Sequence, residues 1–141
     1  MNDYQITRYC RPSTIHDDKI LHTAFMLREF KDGTYERCLS FYSLKDLEGE
    51  ILDKLNIVYQ KQLKARFNLS NNGIYSVLQV SQIESRLKEW DCKVIEDGNP
   101  EFIPLHVGIY YKYSDMILIA YQLSKLANET KKNYFIHEVI K

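Results

Sequence analysis

The chain has 141 residues, 45% hydrophobic and 27% charged, the composition of an ordinary globular domain. Nineteen Lys and Arg balance nineteen Asp and Glu, and a net charge of zero argues against a protein dominated by phosphate-backbone binding. No apolar run reaches the roughly 18 residues that cross a bilayer, and Met1-Asn2-Asp3-Tyr4-Gln5 lacks the basic start and apolar stretch of a signal peptide, so a cytoplasmic location away from membranes is expected.

The length fits one domain over 1–141, with 1–7 and 133–141 as ragged or edge-strand ends. Asp17-Asp18 reads as a turn. Ile20 to Phe30 reads as a strand with Ala24, Met26 and Phe30 on one face. Lys31-Asp32-Gly33-Thr34 is a hairpin signal, because Asp-Gly supplies the positive φ of a tight turn. Arg37 to Tyr42 returns as a strand, with Leu39 and Phe41 on one face and Cys38, Ser40 and Tyr42 on the other.

Ser43-Leu44-Lys45-Asp46 resembles a capping box and predicts the start of a helix. Leu44, Leu47, Ile51, Leu55 and Val58 then form one helical stripe, and the helix is expected to reach Ala65 or Phe67. The acids Asp46, Glu48 and Glu50 suit its start, and Lys61, Lys64 and Arg66 suit its end. Asn68 to Gly73 breaks it, Ile74 to Val80 is a strand, and Ser81-Gln82-Ile83-Glu84 predicts a capped helix ending near Trp90. Cys92 to Ile95 is a strand, 97–100 a turn, and Leu105 to Tyr111 another strand. Ser114 is the expected cap of a last helix over Met116 to Ala127, before a weakly alternating tail. Hairpins mixed with single helices give an α+β fold, one domain with a mixed or antiparallel sheet and about three helices.

Cys10, Cys38 and Cys92 are odd in number and widely spaced, which fits a reducing compartment. No CxxC or HxxxH pair occurs, so neither a metal site nor a cofactor is expected. Arg8 and Arg11 flank Cys10 and can grip a phosphate or carboxylate; they can equally pair with Asp17 or Asp18 on the surface. Beside two guanidinium groups Cys10 is a candidate for a lowered pKa. His106 alternates away from Leu105 and Val107, and Gly108 on its face leaves space for a ligand or a second backbone. His106, His22 and Cys10 are therefore the candidate catalytic groups, with Arg8, Arg11, Thr23 and Ser40 as ligand-binding candidates. The plain alternative for His106 is a core histidine bonded to backbone. There is no GxxxxGK, GxGxxG or GxSxG, and no HxE with CxxC.

Arg8-Tyr9-Cys10-Arg11-Pro12, Thr23-Ala24-Phe25, Leu39-Ser40, Gly73-Ile74-Tyr75-Ser76-Val77 and Pro104-Leu105-His106 follow one another in the chain. In that order, over roughly residues 8–127, they resemble a loose family of short bacterial cytoplasmic proteins of unknown function. Val107 stands where that pattern has a small residue, and Thr23 where it more often has serine. The resemblance implies a bacterial cytoplasmic protein and draws attention to Arg11, Thr23, Ser40 and His106, but it implies no mechanism.

Three functions fit these residues. The first is an interaction protein, an accessory, immunity or regulatory subunit that binds another protein or a second copy of itself. Eleven tyrosines support it, with Tyr110, Tyr111 and Tyr113 as the expected contact. The second is a small enzyme or ligand sensor for a phosphate-containing substrate, using Arg11 and His106 in one pocket. The third, disfavoured by the net charge, is a nucleic-acid module using Arg8, Arg11, Lys61, Lys64 and Arg66.

Overall fold

A computed structural model describes residues 3–98 and 104–141. In chain order the elements are β1 (Gln5–Cys10), β2 (Ile15–His16), β3 (Lys19–Ile20), β4 (Leu39–Ser43), α1 (Ile51–Lys64), β5 (Ile74–Gln79), α2 (Val80–Arg86), β6 (Lys93–Glu96), β7 (His106–Tyr110), α3 (Met116–Thr130), β8 (Asn133–Phe135) and α4 (Ile136–Val139). Six strands form one sheet in the order β6-β7-β4-β1-β5-β8, and every pairing is antiparallel. β2 and β3 make a separate hairpin, turned at Asp17 and Asp18 with φ of 49° and 64°. The result is a single α+β domain whose three longer helices are α1, α2 and α3.

Strand alternation sends side chains to two faces. On the first face Ile6, Cys10, Leu39, Phe41, Ile74, Leu78, Val107 and Ile109 meet Phe25 and the apolar sides of α2 and α3. On the second face Tyr42, Tyr75 and Val77 meet Leu55 and Val58 of α1 and Ile136 and Val139 of α4. Each fully buried Leu or Ile contributes about 1.5–3 kcal/mol. Two cores divided by one sheet therefore hold the fold.

Several local expectations change. Ile20 to Phe30 is not a strand: after β3 comes a short helical turn, His22–Phe25, that buries Ala24 and Phe25 under α3. Its apolar residues are read by a helix rather than a neighbouring strand, so alternation misleads. The turn at 31–34 is present, with Gly33 at φ 87°, but only the isolated bridge Glu29–Tyr35 flanks it.

Ser43 does not cap α1, because its backbone is already in β4 and its hydroxyl accepts from the Lys45 N–H at 3.1 Å. The box is instead Glu50 and Asp53, whose side chains each accept the other's backbone N–H. Gly49, at φ 99°, precedes it where an added Cβ would lie 2.8 Å from Asp53. Leu44 and Leu47 still pack with the α1 stripe, although they lie before the helix.

Ser81 does not cap α2 either. The helix starts one residue earlier, and Ser81 donates its hydroxyl to Asp3 Oδ2 at 2.5 Å. Asp115, not Ser114, stands at the N-cap of α3. Residues 5–7 lie inside the sheet between β4 and β5, whereas the tail supplies the edge strand β8 and then turns into α4. Residues 99 and 100 of the expected 97–100 turn lie outside the described residues.

Candidate functional site

The second face of the sheet is covered unevenly. α1 and α4 lie over Tyr42, Tyr75 and Val77 on β4 and β5. Toward β6, the same face carries Cys38, Ser40, His106, Gly108, Tyr110, Ile95 and Lys93, placed there by the pairs Ser40–Gly108, Tyr42–His106, Ile95–Gly108 and Lys93–Tyr110. Among the described residues these side chains are half-buried or exposed, apart from Gly108 itself.

Three of them form a hydrogen-bonded chain. Asp97 continues β6 and sets Oδ1 2.5 Å from His106 Nδ1. The other imidazole nitrogen, Nε2, lies 2.9 Å from Ser40 Oγ. Tyr110 donates its hydroxyl to the second Asp97 oxygen. With both carboxylate oxygens engaged, the tautomer that satisfies every group has Nδ1–H donating to Asp97 and Nε2 accepting from Ser40. Tyr42 stands edge-on to the His106 ring, with centroids 6.2 Å apart.

The electrostatics follow from these neighbours. Hydrogen bonding with the Cys38 thiol is the largest cause holding the His106 pKa above its usual 6.5; burial pulls it down, and the Asp97 carboxylate pulls it up again. Burial raises the Asp97 pKa, yet the hydrogen bonds from Tyr110 and His106, with the imidazolium charge, together carry it below the usual 3.8. The bond to Asp97, which the neutral phenol donates, raises the Tyr110 pKa. The side chains of His106 and Asp97 keep 13% and 26% of their surface exposed, so the pair still reaches solvent.

Gly108 makes the cluster possible. A Cβ there would lie 2.7 Å from the Tyr110 ring and 2.9 Å from Cys38 Sγ. The space expected beside His106 is therefore filled by these two side chains, not left free for a ligand. A hollow of about 240 Å³ opens instead at the end of the sheet, between Ser43, Asp46, Glu96, Leu105 and His106. A larger trough, about 810 Å³, lies between α2 and α3 where Arg86 pairs with Glu129; its Ser81 hydroxyl is held by the Asp3 carboxylate, and no histidine is among the described residues that line it. Hydrogen-bond geometry, rather than volume, singles out the His106 cluster.

The other candidates lie elsewhere. Arg8 reaches the opposite face, donating from Nε to the Ala24 carbonyl at 2.6 Å and from Nη1 to the Ser40 carbonyl at 2.8 Å. It bridges β1 and β4 beyond their two paired positions and so holds the Ser40 backbone in place. Cys10 is buried on that face, and burial pushes its thiol up to about 12 despite the neighbouring Arg8. The expected lowering fails because desolvation outweighs the cation.

Arg11 is exposed and donates to Ser13 Oγ. It stands four residues beyond Thr7 on β1, two strands from His106, on the order of 15 Å by strand geometry. Thr23 is exposed on its helical turn, and His22 stacks on Tyr121 at 4.0 Å, across the sheet from His106. Lys61, Lys64 and Arg66 lie at the end of α1, away from the Arg8 guanidinium.

The tyrosine run also divides. Tyr110 belongs to the polar chain, and Tyr111 packs against the first-face core with its hydroxyl buried and unpaired among the described residues. Tyr113 is exposed and rests on Tyr35 at 4.3 Å. It begins an apolar ridge continued by Ile117, Leu118 and Tyr121 on α3, each 49–56% exposed. Sequence reasoning missed this ridge, since Met116 to Tyr121 is apolar all round and marks no one side as exposed; it also missed Asp97, whose Asp-Gly reads as a turn. No helix among the described residues is long and apolar enough to cross a membrane. Set against family models, curated proteins and solved structures, the chain matches none.

Proposed function

We propose that the chain is a protein-binding module, that the ridge on α3 is its contact surface, and that its first occupant is a second copy of the chain. The ridge carries the reading: Tyr113, Ile117 and Tyr121 follow at intervals of four with Leu118 beside them, all about half exposed. Aromatic contacts hold both ends, Tyr35 on Tyr113 and His22 on Tyr121. Two copies of α3 packed antiparallel about the midpoint of Leu118 and Tyr121 cover both ridges at once, an isologous contact. Asp115 of each copy then faces Lys125 of the other, so the charges at the two ends complement each other. An accessory or regulatory role in a bacterial cytoplasm, as the sequence pattern suggests, would then be exercised by assembly.

Sedimentation equilibrium over rising protein concentration tests this. The expected mass moves from one chain to two, Leu118→Lys holds it at one, and Asp115→Lys combined with Lys125→Asp restores two where either alone weakens it. A mass of one chain at every concentration, or a dimer indifferent to Leu118→Lys, contradicts the proposal.

A further inference from the structure

The chain Asp97–His106–Ser40 lies on the face of the sheet away from α3, and a binding module has no need of it. The chain sets a hydroxyl against one nitrogen of an imidazole and a carboxylate against the other, at 2.9 and 2.5 Å. This is the relation in which a histidine removes the proton of an attacking hydroxyl while a carboxylate fixes its tautomer. The likeness is one of geometry alone, since Ser40 sits within β4 and no GxSxG turn presents it.

We propose that Ser40 is a nucleophile for acyl transfer from small neutral carboxylic esters, with His106 as its base and Asp97 as a positioning residue. Neutral acyl donors fit better than phosphorylated ones. Arg8 is committed to two carbonyls on the other face, Arg11 is distant, Lys93 is exposed opposite Tyr110, and Lys45, which lines the hollow, is paired with Glu96 at 3.4 Å beside the acid Asp46. The hollow at the end of the sheet is lined by His106, so an ester seated there lies against the ring whose Nε2 holds Ser40.

The step balances without a cofactor. Ser40 Oγ attacks the ester carbonyl carbon and its proton passes to His106 Nε2. The bond from that carbon to the alkoxy oxygen breaks, and the leaving alcohol takes the proton from Nε2. Water then attacks acyl-Ser40, passing its proton through the same nitrogen, and the carboxylic acid is released with the Ser40 hydroxyl restored.

The Cys38 thiol stands near the same ring and is the rival nucleophile. Treating the full chain with a fluorophosphonate probe, then reading intact mass and mapping the modified peptide, separates the two. The expected result is one adduct per chain, on Ser40, formed faster as pH rises and His106 loses its proton. Ser40→Ala should abolish it, and His106→Gln should slow it about a hundredfold, the lower range for a general base. Asp97→Asn should slow it and also move its pH midpoint down, which a merely structural carboxylate would not do. Label on Cys38, label spread over tyrosines and lysines, or no adduct on the wild-type chain each overturns the assignment. Because the wild-type map decides the nucleophile, a variant that fails to fold does not rescue the proposal. Neither result bears on dimerisation, which Leu118→Lys tests separately.

Discussion

The two halves of the sheet's second face carry similar residues under different cover. Beneath α1, Tyr75 donates its hydroxyl to Gln62 Oε1 at 2.5 Å, and both side chains are buried. The pair satisfies itself without a formal charge, and burial pushes the Tyr75 pKa upward. Toward β6, Tyr110 also donates to a side chain, but the acceptor is the Asp97 carboxylate, which also holds His106. A covering helix admits polar groups that cancel each other, because an unpaired charge there is costly. The uncovered half lets a carboxylate and an imidazole stay near water and titrate. Chemistry, where this fold has it, belongs to the half that the helices leave open.

Removing the cover should produce the largest effect. Leu55→Ala takes a fully buried side chain from beneath α1 and should cost about 2–5 kcal/mol in denaturant unfolding. The shape of the His106 titration should survive in the remaining folded protein; its disappearance would mean that the two halves are not separate.

The next effect strikes the open half directly. Gly108→Ala sets a methyl against the Tyr110 ring and against Cys38, whose Cβ would lie at 3.2 Å on a paired strand's flank. Overpacking of this kind costs about 1–3 kcal/mol. The methyl also displaces Cys38, the largest cause of the elevated His106 pKa, so the variant should lower that pKa. A variant as stable as wild type with an unchanged titration would show that Gly108 is not what lets the cluster close.

The smallest effect is in the pH dependence of stability. His106 has a folded pKa above 6.5, so its contribution is fully present below that value and is lost as pH rises through the folded pKa. Asp97 has a folded pKa below 3.8, so its contribution is present above 3.8 and is lost as pH falls through the folded value. Unfolding profiles should show both losses. His106→Gln should remove the one on the alkaline side, and if the wild-type loss persists in that variant another group is responsible.

Much of this was legible in the chain. Alternation alone puts Cys38 and Ser40 on one face of a strand, and His106 opposite Leu105 and Val107. The strand register that brings Ser40 beside His106 joins residues 66 apart and has no local signature. Asp97 was hidden because Asp-Gly is good turn chemistry, and nothing nearby marks its carboxylate as reaching back to β7. Ser43 and Ser81 misled for one reason: each fits a local helix start, while a tertiary partner, a strand ladder for Ser43 and Asp3 for Ser81, takes the group first. The apolar residues of 22–25 were legible as buried, but not as helical.

The most direct test of the open half as one titrating unit is the His106 ring followed by nitrogen-15 NMR across pH, in wild type and Asp97→Asn. The account predicts a neutral ring protonated on Nδ1 and a midpoint above 6.5 that falls when the carboxylate becomes an amide. A midpoint at or below 6.5 in wild type, or one that Asp97→Asn leaves in place, would contradict it.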